Sequence, residues 1–227
     1  LIVRCDWRPS IPKNWFEANS SVKLGLNLTG FTFLNYFHRQ LDNVLIGSRW
    51  GTVELGHYAR AYALLLIPIN FVNGPFGNTL EPALSRLQDK PQQWRRAYLD
   101  GLAAVVLIGG AITTVLFGGA APVIATVYGP DWEATISIFG ILSFSMLFGA
   151  PMSSTGWIYI SLGRTDLMLR WAMIATPAYV LGFLIGLPFG AVGVATGYSI
   201  TVALLFVPCF MFAVRRTPVS VIDVLNI

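Results

Sequence analysis

The stretch GLAAVVLIGGAITTVLFGGAAPVIATVYGP, residues 101–130, contains no Lys, Arg, Asp or Glu. A helix needs about 20 apolar residues to cross the hydrocarbon core of a bilayer, and this stretch supplies them with a turn to spare. Asp100 and Asp131 bound it, and two more charge-free stretches follow, from Glu133 to Arg164 and from Arg170 to Arg215. The first of these holds one span. The second is long enough for two, with Pro188-Phe189-Gly190-Ala191-Val192-Gly193 as the turn between them. Two less apolar segments precede all of these. The apolar runs show no period-two alternation, which excludes a β-barrel reading. The expected fold is therefore an all-α integral membrane protein, a six-transmembrane-helix bundle with spans at 24–47, 58–80, 101–127, 136–160, 171–187 and 194–214.

Composition agrees. Hydrophobic residues make up 55% of the 227 residues and charged residues 11%, against roughly a quarter charged in soluble domains. Mean hydropathy is +0.63. Such a chain cannot cover a soluble surface, so a disordered protein, a soluble nucleic-acid binder and most soluble enzymes are excluded. The net charge of +4 reads as topology, not as a footprint for nucleic acid. Six spans put both ends on one side. That side collects Arg4, Arg8, Lys13, Lys23, Arg86, Lys90, Arg95, Arg96, Arg164, Arg170, Arg215 and Arg216, which is 12 of the 15 basic residues. The positive-inside rule makes it cytoplasmic. Residues 1–23 then form a cytoplasmic lead-in and 215–227 a cytoplasmic lead-out. The chain opens on Leu1 with no signal-peptide pattern, so its true start is expected upstream. Trp50 and Trp132 fall at outer ends of spans, Trp94 and Trp171 at inner ends, as interfacial anchors do. Asp89-Lys90-Pro91 reads as a helix start with Asp89 as N-cap, opening a short interfacial helix over 92–100.

The first span is the most polar, reading Asn35-Tyr36-Phe37-His38-Arg39-Gln40-Leu41-Asp42-Asn43 at its middle. Intramembrane charge costs at least ~2.5–3.5 kcal/mol on the insertion scale, so Arg39 and Asp42 are functional candidates. Three residues apart, they share a helix face, and the alternative is a self-neutralising pair that only fixes packing. Asn43 belongs to the same cluster. His38 reads as a packing or hydrogen-bonding residue. Arg60 either snorkels to head groups or joins Arg39 in a cationic cavity, where bidentate guanidinium groups would suit a phosphorylated substrate. Asn70 and Asn73, with Asn78, could contact sugar hydroxyls or cap broken backbone. Helix-kink candidates are Pro68, Pro75, Pro122, Pro151, Pro177 and Pro208. Each removes a backbone hydrogen bond, and bent spans are a feature of transporters. Ser145, Gly149 and Ser153 form one small-residue stripe and Gly182, Gly186 and Gly190 another, read as close packing within the chain. Hydroxyls at Ser153, Ser154 and Thr155 serve either a sugar path or backbone satisfaction.

No catalytic residue, metal ligand set or cofactor is expected. The outer loops are short, the two histidines are far apart at 38 and 57, and no phosphate loop or nucleophile elbow occurs. Cys5 and Cys209 both fall near the reducing side, so no disulfide is expected.

The Asn35–Gly47 stretch is followed by Gly51, Leu55-Gly56-His57-Tyr58, Ala61-Tyr62, Pro68, Pro75 and the run from Pro82 to Asp89. Later come Leu162-Gly163-Arg164-Thr165-Asp166 and Gly186 to Ala195. In order and spacing the series resembles the polysaccharide transporter branch of the multidrug/oligosaccharidyl-lipid/polysaccharide exporter superfamily, the Wzx-like lipopolysaccharide and exopolysaccharide flippases. The resemblance implies one lobe of a two-lobe transporter, the second, with Leu1 to Val3 as the tail of a preceding span and the first lobe absent. It implies movement of undecaprenyl-pyrophosphate-linked oligosaccharide across the bacterial inner membrane, by alternating access through a cationic cavity between lobes. Arg39, Asp42 and Asn43 match the family's first helix of that lobe, and Arg60 sits in the matching stretch. The implied partners are the lipid-linked oligosaccharide, membrane lipid, the first lobe and other polysaccharide assembly proteins. Two other readings compete: a multidrug or cation antiporter of the same superfamily, using Asp42 for coupling, and a membrane enzyme of glycan assembly.

Overall fold

The computed structural model describes residues 15–227. Most of the 1–23 lead-in, with Arg4, Cys5, Arg8 and Lys13, lies outside the described residues. Eight helices follow in order: α1 (Trp15–Arg86), α2 (Pro91–Gly118), α3 (Ala120–Tyr128), α4 (Glu133–Ser153), α5 (Thr155–Ser161), α6 (Thr165–Gly186), α7 (Gly190–Ala213) and α8 (Val221–Leu225). Short 3₁₀ turns sit at Pro130–Trp132 and Leu187–Phe189. No strand occurs among the described residues.

Three helical stretches are long and apolar enough to cross a membrane: Pro91–Gly118, Pro130–Ser161 and Thr165–Ala213. Large apolar side chains also point outward, with Phe71, Leu107, Ile185 and Leu204 each more than 70% exposed. Water would penalise such a surface by roughly 25 cal/mol per Å², whereas hydrocarbon accepts it. The fold is that of an all-α, multi-pass membrane protein.

Although helical at both ends, α1 is not one rod. Gly51 has φ 84° and ψ −177°, a region open in practice only to glycine. Tyr58 and Asp42 lie 16 residues apart, yet the Tyr58 hydroxyl donates to Asp42 Oδ2 at 2.7 Å. A straight helix would separate them by about 24 Å. The chain therefore reverses at Gly51, which brings the half containing Asp42 against the half containing Tyr58. Thr165–Ala213 reverses likewise at Gly190, φ 73°. Beyond that turn, Gly182 and Gly186 meet Gly197 and Gly193 backbone to backbone. A Cβ on Gly182 would lie 2.9 Å from the Gly197 carbonyl oxygen, so only glycine allows α6 and α7 this close.

Side-chain bonds tie each end of the bundle. At one end the Trp50 indole N–H donates to the Leu187 carbonyl (2.7 Å) and the Ala191 N–H to Glu54 (3.4 Å). There too, His57 Nδ1 lies 2.8 Å from Thr135 Oγ1, and the Tyr128 hydroxyl donates to the Arg60 carbonyl (3.3 Å). At the other end Arg95 pairs with Asp223 at 2.7 Å, and Arg164 donates to the carbonyls of Arg215 (2.6 Å) and Arg216 (2.8 Å).

Several local expectations change. The N-cap of α2 is Lys90, with Pro91 at N1, because the residue before proline is pushed out of helical backbone; Asp89 is not the cap. The stretch 92–100 is not a separate interfacial helix but the first part of α2. Trp94 is no interfacial anchor. It is 1% exposed and stacks on Tyr98 at 5.5 Å inside the bundle. The turn between the last two long helices is tighter than expected, since α7 already starts at Gly190. Helix continues through Pro68, Pro75, Pro177 and Pro208. Interruptions fall at Gly119, three residues before Pro122, and at Ser154, three after Pro151. There the Ser154 N–H reaches back only three residues, to the Pro151 carbonyl at 3.0 Å.

Candidate functional site

A cavity of about 350 Å³ lies among both halves of α1 and helices α4 to α7, within the size range of small-ligand sites. The first half of α1 contributes Asn35, His38 and Arg39, one helical turn of its polar stripe; Glu81 comes from the second half. The α4–α5 junction adds Ser153, Thr155 and Tyr159, and Thr176, Tyr179 and Tyr198 complete the polar wall. The break at Ser154 positions those hydroxyls. Ser153 and Thr155 donate to the Ala150 and Met152 carbonyls (2.6 and 2.8 Å), while Ser154 turns away to Tyr98 at 3.0 Å.

His38 Nδ1 sits 3.1 Å from the Leu34 carbonyl. Only an N–H can bond a carbonyl, so Nδ1 carries the proton. Its ring stacks on Tyr179 at 4.7 Å and 5°. Tyr179 stacks on Tyr198 (5.7 Å), Tyr198 meets Tyr62 edge-on (6.4 Å), and Tyr62 stacks on Tyr58 (6.2 Å). An aromatic file thus runs from the cavity wall to the bond between Tyr58 and Asp42. Tyr159, 1% exposed, has a buried hydroxyl with no hydrogen-bond partner.

Arg39 and Asp42, neighbours on one helix face, do not pair. Among the described residues the single ion pair is Arg95 with Asp223. Asp42 is 2% exposed and is used inward, accepting from Tyr58 and from the Asn43 N–H at 2.6 Å. Arg39 lies on the cavity wall without a carboxylate bonded to it. Of the six residues read as substrate candidates, Arg39 alone lines the cavity. Asn43 is half-buried beside Asp42, its Oδ1 unpartnered. Arg60 is exposed near the Gly51 end, beside Tyr128. Asn70 is exposed and Asn73 half-buried with an unpartnered Oδ1, both on the second half of α1. Glu81, Tyr159, Tyr179 and Tyr198 went unread in the sequence. Tyrosine in an apolar helix looks like core or interface, and Glu81 looks like a span-end charge.

The wall offers a guanidinium, an amide, hydroxyls and aromatic faces, with one carboxyl group from Glu81. That set can bind phosphate oxygens, hydrogen-bond sugar hydroxyls and stack on sugar C–H faces. Among the described residues no three His, Cys, Asp or Glu side chains come together as metal ligands, and Cys209 is a buried free thiol.

Residues 1–137 match the family described as polysaccharide biosynthesis protein. The chain belongs to that family. Its relatives include the amylovoran biosynthesis protein AmsL of Erwinia amylovora, 30% identical over 180 residues, covering 78% of this chain and 45% of the relative. The lipopolysaccharide biosynthesis protein WzxC of Escherichia coli (strain K12) is 23% identical, covering 85% of this chain and 39% of its own length. The teichuronic acid biosynthesis protein TuaB of Bacillus subtilis (strain 168) is 23% identical, covering 75% and 35%. The chain thus spans less than half the length of these polysaccharide biosynthesis family members. No solved structure matches it.

Proposed function

We propose that this chain is one six-helix lobe of a polysaccharide exporter that moves undecaprenyl-pyrophosphate-linked oligosaccharide from the cytoplasmic to the outer face of the bacterial inner membrane. The observation that carries the reading is Arg39. A permanent charge sits on the wall of an intramembrane cavity with no carboxylate bonded to it, among sugar-compatible hydroxyl, amide and aromatic groups. Keeping a guanidinium there costs several kcal/mol, which an anionic cargo offsets. Membership of a family whose named relatives serve amylovoran, lipopolysaccharide and teichuronic acid biosynthesis points the cargo toward glycans. Arg39 would grip the diphosphate, and Asn35, Ser153 and the tyrosines the first sugars. Asp42 would serve the helix pair through Tyr58, Asn43 and Asn73 lie half-buried outside this cavity, and the exposed Arg60 and Asn70 would act on outer faces.

Six passes are supported by the reversals at Gly51 and Gly190 and by side-chain bonds that gather alternate turns at opposite ends. The end of the bundle holding Arg95, Arg164, Arg215 and Arg216 is basic, which by the positive-inside rule supports a cytoplasmic position for it. A second lobe of the same protein would complete the transport path. The antiporter reading fares worse, because Asp42 is engaged by Tyr58 and turned away from the cavity.

The test uses the full-length protein in its host. Arg39→Ala should cut surface polysaccharide more deeply than Arg39→Lys at matched expression, because lysine keeps the charge and loses the fork. A drop of roughly tenfold or more is expected for alanine, as for a lost charge-assisted contact of about 1.5–3 kcal/mol. Equal export from both variants and the unaltered protein would contradict the reading.

A further inference from the structure

At the basic end, a second cavity opens where α6 begins and α7 ends, lined by Arg164, Asp166, Leu167, Arg170, Arg215 and Arg216. Four arginines and one aspartate line it, and no ion pair joins Asp166 to any of them. The cluster is built, not loose. Arg164 spends two N–H groups on the carbonyls of Arg215 and Arg216, which fastens the end of α7 to the start of α6. Arg216 holds a left-handed φ of 58° where the chain leaves α7. Arg215 lies over the Phe212 ring at 5.4 Å, and Phe212 packs on Trp171 at 5.8 Å. The first turn of α6, with its positive dipole end, shares the same wall.

One turn deeper along the same two helices the surface becomes apolar. Met173 and Ile174 on α6, three and four residues beyond Arg170, are 52% and 55% exposed, and Met211 on α7, four before Arg215, is 54% exposed. A cationic cup above an exposed apolar wall matches a molecule with a phosphate head and acyl chains. We propose that this cup binds the phosphate head group of an anionic bilayer lipid, its chains lying along α6 and α7. A free anion would need the arginines and not the apolar wall beneath them. Basic pockets between transmembrane helices at the cytoplasmic face are known to hold such head groups. The inference needs only the cup and the membrane fold, and is independent of the exported cargo.

The experiment is native mass spectrometry of the full-length protein, released from mixed micelles of phosphatidylglycerol and phosphatidylcholine. Preferential retention of phosphatidylglycerol is expected. The double variant Arg170→Gln/Arg215→Gln should lose roughly tenfold or more of it, from the worth of two surface arginines. Arg170→Lys/Arg215→Lys should keep it within a few-fold, guarding against a folding defect, and Arg164 stays intact because it holds the backbone. Millimolar inorganic phosphate should not displace the lipid. Equal retention of the two lipids, unchanged retention in the glutamine variant, or displacement by inorganic phosphate would each overturn the proposal. So would preferential displacement by undecaprenyl pyrophosphate, which would make the cup part of a substrate path.

Discussion

Two polar residues one helical turn apart, Arg39 and Asp42, have opposite fates because the chain reverses at Gly51. The reversal brings Tyr58 to Asp42 and closes that carboxylate into the helix pair, 2% exposed. Arg39 is left facing the cavity. The Tyr58 hydroxyl is the cross-helix donor to Asp42 Oδ2. Tyr58→Phe therefore strands a buried acceptor and should lower stability by about 1–3 kcal/mol, read from unfolding of the purified protein in detergent. Tyr36→Phe, on a side chain 65% exposed, should change it by less than about 0.5 kcal/mol. Equal effects would show that the bond contributes nothing. The placing of Arg39 and Asp42 on one face of a helix was legible from the sequence. Their separate roles were not, because a 16-residue separation says nothing of contact until the hairpin is known. The same holds for Tyr179 and Tyr198, whose stacking on His38 and on each other depends on three helices meeting.

Helix-level structure was more legible, since charge-free runs and glycine-proline turns mark where chains enter and leave hydrocarbon. Trp94 was misread because position at a span end does not say which way a side chain points, and Asp89 because Pro91 moves the cap to Lys90. Of the stripe read at Gly182, Gly186 and Gly190, the first two are accounted for by Gly197 and Gly193 on α7, whereas Gly190 is the turn residue that opens α7. Gly186→Ala would drive a Cβ into the Gly193 backbone, and neither helix can yield without opening the pair. Destabilisation of about 1–3 kcal/mol is expected. Gly110→Ala, with open space around its Cβ position, should be neutral or slightly stabilising. Melting temperatures of the two variants decide this, and similar values would refute the close-packing account.

The short helix α8 provides a pH-dependent contact. Its capping box joins Ser220 and Asp223, and Arg95 grips the Asp223 carboxylate through two N–H groups at 2.7 and 3.3 Å. Chiefly that bond, helped by the Ser220 backbone N–H, holds the Asp223 carboxyl down at about 2, from an ordinary 3.8. A depressed carboxylate stabilises the docked helix above its ordinary value and loses that contribution as pH falls from 3.8 toward 2. A spin label at Ile222→Cys should stay restrained at pH 5 and gain mobility over that window. With Arg95→Ala it should be mobile throughout. A label restrained equally at pH 5 and pH 2 would contradict the assignment.

For the whole molecule, the bundle is closed by ties at both ends, with its polar cavity between them. A polar cavity inside and apolar side chains outside suit an all-α protein surrounded by hydrocarbon. The chain spans less than half the length of its relatives, so the transport path is proposed for the complete protein. The most direct measurement deletes the full-length gene in its own host and restores it on a plasmid. Lipid-linked precursors are followed on each membrane face together with surface polysaccharide. The export reading predicts loss of surface glycan with precursors accumulating on the cytoplasmic face, both reversed by the restored gene. Normal precursor distribution and normal surface glycan in the deletion strain would contradict it.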